Sequence, residues 1–224
     1  MKKKALLFDL FFTLIVPKYT KGANEYDLLS ISENRWNEIT AHEGLYKKRA
    51  SGKNLDPESI LEELVGLTSV KASESMIRDL VDIRIKRFKR AVEDVEPEVI
   101  ETLEVLKNRG YKLAIVSNAD SIDVMHWQTS PLAGLFDETI FSYEVGCLKP
   151  DPMIYQTALE RLGCKPDECI FIGDGGSDEL RGAKTLGMTT LLTRHFINRY
   201  EEGHDYHAYI DMCISRTKDL LTIL

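Results

Sequence analysis

Short apolar runs that end in small or polar residues recur along the chain. Each strong run is four or five residues long and lacks the alternation of apolar and polar positions, a pattern typical of strands buried on both faces of a parallel sheet. The strong runs are residues 4–8, 112–116, 169–172 and 189–192, and residues 138–141 form a weaker one. These runs constrain the fold most, because they predict the strands of an α/β core.

Helical periods lie among the later runs. Residues 97–109 and 152–162 each begin with a proline and stop at a glycine, the asymmetry expected of a helix. A third period covers residues 178–186 and stops at Gly187. Strand and helix therefore alternate over the second half of the chain, which predicts βαβ units on a parallel sheet flanked by helices.

The stretch from residue 17 to residue 95 interrupts this alternation directly after the first run. It has no strand-like run of comparable quality, and it shows helical periods at residues 25–43, 57–67 and 72–91. We predict an all-helical insertion at residues 17–95, called the inserted segment below, within a core made of residues 1–16 and 96–224.

The last thirty residues are less clearly patterned. Residues 209–214 suit an edge strand, and residues 218–224 suit a short helix. His204 and His207 are spaced like metal ligands, but no third ligand lies nearby in sequence, so we do not predict a zinc site.

Composition places the chain among ordinary soluble proteins. With 224 residues, 43% of them hydrophobic, it is long enough to bury a core without disulfides. The net charge of −7 argues against a general nucleic-acid binder. The four cysteines contain no C-x-x-C pair and are interpreted as reduced thiols of an intracellular protein. An apolar run at residues 5–16 is interrupted by Asp9 and is too short to span a bilayer, so we expect a cytoplasmic protein without a membrane partner.

Polar side chains gather at the predicted carboxyl ends of the strands, where open α/β sheets bind ligands. They are Asp9, Thr13, Ser117, Asn118, Asp174 and Asp178, together with Lys149 in the loop after the weak run. A carboxylate can attack phosphorus, two more can hold Mg²⁺, and a lysine with a hydroxyl can bind phosphoryl oxygens. Each residue alone is as well explained as a cap or a loop residue. Their joint, ordered occurrence predicts a site for a phosphoryl group.

Four segments resemble the motifs of the haloacid dehalogenase-like (HAD) hydrolase superfamily. They are residues 8–14, 116–118, 148–151 and 172–178. The resemblance spans nearly the whole core in the family's order. It implies a Rossmann-like core, an all-helical cap domain inserted after the first strand, and a Mg²⁺ cofactor.

The resemblance also implies a role for each polar residue. Five residues would act on the substrate: Asp9 as the nucleophile, Thr13, Ser117 and Asn118 as ligands of the transferred group, and Lys149 as the group that stabilises charge on Asp9 and in the transition state. Four groups would hold Mg²⁺: Asp9, the backbone carbonyl of Phe11, Asp174 and, directly or through water, Asp178.

One position departs from the family pattern. Family phosphatases usually carry a second aspartate two residues after the nucleophile, which protonates the leaving alcohol and later activates water. Here that residue is Phe11, and the next position, normally glycine, is Phe12. General acid–base catalysis contributes roughly 10²–10⁴ in rate. Family dehalogenases also lack this aspartate, but they do not use the metal site that Asp174 preserves.

We therefore expect a Mg²⁺-dependent phosphatase that acts on a small phosphorylated metabolite through an aspartyl-phosphate intermediate on Asp9. A first alternative is a metal-independent 2-haloacid dehalogenase with the same nucleophile. A second is a HAD-fold binding protein with negligible activity, although a fold alone requires neither Lys149 nor Asp174.

Basic residues late in the inserted segment have two interpretations. Arg84, Lys86, Arg87, Lys89 and Arg90 either form a solvated helix face or attract an anionic substrate. One of Arg35, Lys47, Lys48 or Arg49 is a further candidate to reach the substrate from this segment.

Overall fold

The computed structural model describes residues 3–197 and 207–224, so His204 lies outside the described residues. Six strands form one sheet: β1 (Ala5–Phe8), β2 (Lys112–Ser117), β3 (Glu138–Phe141), β4 (Cys169–Gly173), β5 (Thr189–Thr193) and β6 (Met212–Ile214). Their order is β3-β2-β1-β4-β5-β6, and every described pairing is parallel. The α/β fold predicted from the apolar runs is confirmed.

Ten α-helices accompany the sheet within the described residues. They are α1 (Glu25–Leu29), α2 (Glu33–Thr40), α3 (Glu43–Ala50), α4 (Pro57–Val65), α5 (Glu74–Glu93), α6 (Pro97–Asn108), α7 (Ser142–Val145), α8 (Pro152–Leu162), α9 (Glu179–Thr185) and α10 (Leu220–Ile223). None of these helices is long and apolar enough to cross a membrane.

The central position of β1 in the sheet explains why its sequence is continuously apolar. All four of its residues are fully buried. Successive side chains point to opposite faces of a strand, so Leu6 and Phe8 pack with α6 on one face of the sheet. Ala5 and Leu7 pack with α8 and α9 on the other face. A strand covered on both sides has no solvent-facing position for a polar residue.

The inserted segment contains only helices among its regular elements, α1 to α5. These helices share an apolar cluster that includes Trp36, Leu61 and Leu80, and Ile122 from the loop after β2 joins it. The helical period predicted at residues 25–43 is divided between two helices, α1 and α2. Ser30 adopts a left-handed conformation that ends α1, and the Ser32 hydroxyl accepts the Arg35 backbone N–H to begin α2.

The register of β1 brings three parts of the chain to one edge of the sheet. Phe8 is paired with Ile115 of β2 and with Ile172 of β4. The Asp9 backbone N–H continues the ladder by donating to the Ile172 carbonyl at 2.9 Å. The residues that follow β1, β2 and β4 therefore meet at the carboxyl ends of these strands.

Candidate active site

Asp9 lies at the carboxyl end of β1 with two partners on its carboxylate. Its Oδ2 accepts the Thr13 hydroxyl at 3.0 Å, and its Oδ1 accepts Lys149 Nζ at 2.5 Å. All three side chains are buried. The structure therefore brings the predicted lysine, 140 residues away in sequence, to the predicted nucleophile and its neighbouring hydroxyl.

Lys149 is held in place through its backbone as well as its ammonium group. The Lys149 backbone N–H donates to Asn118 Oδ1 at 2.8 Å, and Asn118 Nδ2 donates to the Lys149 carbonyl at 3.3 Å. The lysine ammonium also donates to Glu179 Oε2 at 2.6 Å. Asn118 was expected to bind the transferred group. In this structure both polar atoms of its amide position the lysine loop.

Glu179 is the third carboxylate beside Asp9 and Asp174, in the position that was predicted for Asp178. Oxygens of Asp9, Asp174 and Glu179 lie within 4.8 Å of one another, and all three residues are buried. The Asp178 side chain is 52% exposed and pairs with Arg181 at 3.0 Å. The predicted metal role of Asp178 therefore has no support from its position.

Backbone geometry before α9 explains this exchange of residues. Ser177 and Asp178 both adopt left-handed conformations with φ of +54°, which turns Asp178 outward and places Glu179 in the first turn of the helix. The Gly175 backbone N–H donates to Glu179 Oε1 at 3.0 Å. A Cβ at Gly173 would collide with that oxygen, so the glycine admits the glutamate.

Burial and charge set the ionisation of this cluster. Burial raises the pKa of Asp9, and neighbouring Asp174 raises it further against the opposing effect of Lys149. Burial likewise raises the pKa of Glu179 well above its ordinary value. For Lys149 burial acts to lower the pKa, but the carboxylates of Asp9 and Glu179 outweigh it and the pKa is raised. The three carboxylates therefore carry more negative charge than the single ammonium group of Lys149 can neutralise.

Ser117 and Asp174 complete the predicted set at the strand ends. The Ser117 hydroxyl is fully buried and has no hydrogen-bond partner among the described residues. Asp174 Oδ1 accepts the Gly176 backbone N–H at 2.9 Å. A buried unpaired hydroxyl costs about 1–3 kcal/mol, so Ser117 keeps an unused capacity for hydrogen bonding at the end of β2.

The two phenylalanines after the nucleophile lie in the same cleft as Asp9. The Phe11 ring meets that of Phe88 in α5 edge to face. Phe12 has a φ of +62°, in the left-handed region that favours glycine. This conformation explains why glycine suits the position and shows that the loop keeps its shape without it.

The inserted segment forms the opposite wall of this cleft, whose volume is about 480 Å³. Arg49, Arg84 and Arg87 line it and are all buried. Of the basic residues late in the inserted segment, Lys86, Lys89 and Arg90 are exposed. The interpretation as a solvated helix face is therefore correct for these three residues. It is wrong for Arg84 and Arg87.

Ion pairs across the cleft join the inserted segment to the core. Arg49 Nε donates to Asp120 Oδ2 at 2.9 Å, and Arg84 Nη2 donates to both Asp120 Oδ2 at 3.0 Å and Asp123 Oδ1 at 2.7 Å. Burial and the Asp120 carboxylate raise the pKa of Asp123 to about 6. For Asp120 the two arginines outweigh burial, and its pKa is lowered. We call these four residues the bridging network. No pattern in the sequence predicted it.

A family model described as haloacid dehalogenase-like hydrolase matches residues 3–187. The chain belongs to this family. That result confirms the resemblance seen in the four motifs, and the parallel sheet agrees with it.

Two curated relatives are phosphatases or pyrophosphatases by name. Glyceraldehyde 3-phosphate phosphatase of Methanothermobacter thermautotrophicus is 33% identical over 132 residues, which cover 56% of this chain and 58% of that protein. The match therefore spans little more than half of that relative. Pyrophosphatase PpaX of Bacillus cereus is 30% identical over 230 residues, covering 100% of this chain and 97% of that protein.

A solved structure of similar fold is a dehalogenase with an intermediate complex. Its TM-score is 0.71 at 21% identity, and the match covers 100% of this chain and 97% of that chain. At this identity the similarity shows the fold alone. The names of similar proteins thus include both phosphatases and a dehalogenase, and the chain is a HAD-like hydrolase.

Proposed function

We propose that this hydrolase is a Mg²⁺-dependent phosphatase that acts on a small phosphorylated metabolite. The observation that carries the proposal is the buried group formed by Asp9, Lys149, Asp174 and Glu179 at the carboxyl ends of β1 and β4. The names of the phosphatase and pyrophosphatase relatives support it. A cleft of about 480 Å³ suits a small molecule.

In this proposal Asp9 attacks phosphorus and forms an aspartyl phosphate. Its Oδ2 is oriented by Thr13 and its Oδ1 by Lys149, so the carboxylate is fixed before a substrate arrives. The Lys149 ammonium, which pairs with Asp9, would stabilise the negative charge that develops on the transferred group. The unpaired hydroxyl of Ser117 is a candidate to bind a phosphoryl oxygen.

The residues present fit a divalent cation. Three buried carboxylates lie together, and two of them, Asp9 and Glu179, pair with Lys149. Burial together with the mutual repulsion of the carboxylates raises the pKa of Asp9 and of Glu179. Mg²⁺ binds oxygen ligands, and Asp9 and Asp174 would hold it, with Glu179 in the place first assigned to Asp178. When bound, the ion supplies positive charge that keeps the nucleophile ionised and offsets the charge of the phosphate.

The inserted segment would act as the cap of this site. Its arginines and aromatic side chains form the wall that faces Asp9, so selection among phosphorylated metabolites would depend on residues 17–95. We propose the domain boundaries expected from the sequence on the same basis.

The test is phosphate release from a panel of phosphate monoesters with Mg²⁺. The wild-type protein should hydrolyse some of them, and Asp9→Asn should lower kcat by at least about 10³-fold because the nucleophile is lost. Asp167→Asn, an exposed change at the opposite end of the sheet, is the matched control. Mass spectrometry of acid-quenched protein should find the phosphoryl group on the peptide that contains Asp9. A wild type that releases phosphate from no ester would refute the proposal.

A second candidate is the 2-haloacid dehalogenase expected as the first alternative. Phe11 favours it, because a halide leaves without a proton and the missing acid then costs nothing. The grouping of Asp9 with two further carboxylates argues for the phosphatase instead. Halide release from 2-chloropropionate that persists in EDTA would decide for the dehalogenase.

A further inference from the structure

A phosphatase of this design needs a proton for the leaving alcohol, and Phe11 cannot give one. The phenyl ring occupies the position of the usual aspartate and packs on Phe88. Any replacement must carry an ionisable or hydroxyl hydrogen and must line the cleft that contains Asp9. Among the described residues, four hydroxyl groups line this cleft: those of Tyr19, Thr40, Tyr46 and Ser177.

Three of these hydroxyls are unsuited to the role. The Tyr19 hydroxyl donates to Asn37 Oδ1 at 2.8 Å, and the Thr40 hydroxyl donates to the Asn37 carbonyl at 3.1 Å. Ser177 lies in the exposed turn before α9. The acid Asp123 also lines the cleft, but its carboxylate oxygens accept N–H groups of Arg84 and of the Asp120 backbone.

The Tyr46 hydroxyl is different, because it has no hydrogen-bond partner among the described residues. Its electrostatic neighbours include Asp9 and Lys149 of the core. Those of Tyr19 are Arg87, Glu25, Arg84 and Glu33, all in the inserted segment. The charges of Asp9 and Lys149 thus influence the pKa of Tyr46, whereas the main charges acting on Tyr19 belong to the inserted segment.

The Tyr46 ring is fixed relative to the core. Arg49 follows it by three residues on α3, and the Arg49 guanidinium lies over the Tyr46 ring at 5.0 Å from its centroid. The same guanidinium is anchored by Asp120 and by the Thr40 carbonyl. Because the Tyr46 side chain is already ordered, little more conformational entropy is lost when its hydroxyl binds a substrate.

We propose that Tyr46 is the catalytic acid that replaces the missing aspartate, donating its phenolic proton to the leaving oxygen of a phosphate monoester. This inference rests on the proposed phosphatase function. Burial raises the pKa of Tyr46, Asp123 and Asp9 add to this, and Lys149 and Arg49 oppose it, so the hydroxyl holds its proton at neutral pH.

The chemistry balances in two steps. An Asp9 oxygen forms a bond to phosphorus while the bond from phosphorus to the leaving oxygen breaks, and the Tyr46 proton moves to that oxygen, which releases the alcohol. The phenolate then takes a proton from water as the water oxygen attacks phosphorus of the aspartyl phosphate. Inorganic phosphate leaves, and Asp9 and the Tyr46 hydroxyl are regenerated. Arg49 and Lys149 stabilise the transient phenolate.

The test compares leaving groups in wild type and Tyr46→Phe. Alkyl phosphates such as glycerol phosphate need a proton on the leaving oxygen, whereas p-nitrophenyl phosphate and acetyl phosphate hardly do. Tyr46→Phe should lower kcat about 10²-fold for the alkyl ester and by less than about twofold for the other two. Unchanged hydrolysis of p-nitrophenyl phosphate also proves that the variant is folded.

Tyr19→Phe is the matched control, since it makes the same chemical change in the same cleft on a hydroxyl bonded to Asn37. Tyr19→Phe should not lower kcat more for the alkyl ester than for p-nitrophenyl phosphate and acetyl phosphate. Equal losses on all three substrates in Tyr46→Phe, or no loss on any, would overturn the role of Tyr46. A wild type inactive on every phosphate ester would refute the phosphatase proposal and this inference together.

Discussion

The Phe11 ring meets the Phe88 ring edge to face, with centroids 5.5 Å apart and planes at 87°. This contact joins the loop that carries the nucleophile to α5 of the inserted segment. It places an apolar pair where family phosphatases carry an acid. The same contact helps to hold the inserted segment over the loop that carries Asp9.

Phe11→Asp should raise kcat for alkyl phosphates. It restores an acid two residues after the nucleophile. General acid–base catalysis is worth roughly 10²–10⁴ in rate, so the gain is the part that exceeds the roughly 10²-fold already assigned to Tyr46. The measurement is phosphate release from glycerol phosphate with Mg²⁺. Phe11→Asn, which removes the same ring without supplying an acid, is the control and should give no gain.

The same variant bears on Tyr46. Once an aspartate supplies the proton, Tyr46→Phe should cost much less in the Phe11→Asp background than in the wild type. The two effects are then strongly non-additive, as expected of residues that serve one function. Additive effects would mean that the two positions act independently.

Glu179→Gln should raise the Mg²⁺ concentration needed for half-maximal activity by at least about tenfold. The change removes one of the three clustered carboxylates while keeping the side-chain length. Asp178→Asn should leave the requirement unchanged, since that side chain is half exposed and pairs with Arg181. Calorimetric titration with Mg²⁺ gives an independent measure of binding. The reverse ranking of the two variants would restore the role first assigned to Asp178.

Stability should depend on pH through Asp123. Burial and the Asp120 carboxylate raise its folded-state pKa to about 6, against the opposing charges of Arg84 and Arg49. A raised pKa means that the folded protein binds the proton more tightly than the unfolded chain does. The contribution of Asp123 to the free energy of unfolding is therefore present below pH 4 and is lost as the pH rises to 6.

The change from 3.8 to about 6 corresponds to about 3 kcal/mol. The free energy of unfolding of the wild type, relative to that of Asp123→Asn, should therefore fall by about this amount between pH 4 and pH 7. Chemical denaturation of both proteins at several pH values measures it. A difference that does not vary with pH would contradict the assignment.

Gly52→Ala should destabilise the fold more than Gly22→Ala. Both glycines have φ near +70°, so each alanine pays about 1 kcal/mol for the left-handed conformation. Only at Gly52 would the added Cβ collide with a backbone atom, the Tyr143 carbonyl oxygen, whereas Gly22 has open space. Urea denaturation should place the Gly52→Ala loss at least about 1 kcal/mol above the other. Equal losses would mean that the backbone near Gly52 and Tyr143 can shift at little cost to accommodate the added Cβ.

The strands of the sheet and the polar residues at their carboxyl ends were predictable, because both depend on patterns in neighbouring residues. A buried parallel strand shows in four or five consecutive residues, and its end shows in the next one, as with Phe8 and Asp9. Glu179 escaped prediction because two successive left-handed residues, Ser177 and Asp178, change which side chain faces inward. Sequence spacing carries no sign of that turn when neither residue is glycine.

The bridging network was hidden for a different reason. Arg49 and Asp120 are 71 residues apart, and Arg84 and Asp123 are 39 apart, so no periodic pattern relates them. Each arginine looks like an ordinary solvated residue in its own helix. Their burial follows from how the inserted segment sits on the core, which only the folded chain specifies.

The central position of β1 has a consequence for how the chain is made. Its neighbours on either edge, β2 and β4, are synthesised much later, while α1 to α5 find most of their partners within residues 17–95. During synthesis the apolar strand β1 therefore has no partner strand, while the helices that follow it can already form contacts with one another. Asp9 is translated before every other residue of its site, and its partners Lys149, Asp174 and Glu179 follow at least 140 residues later. Slow or interrupted synthesis would then favour aggregation over inactive but folded protein.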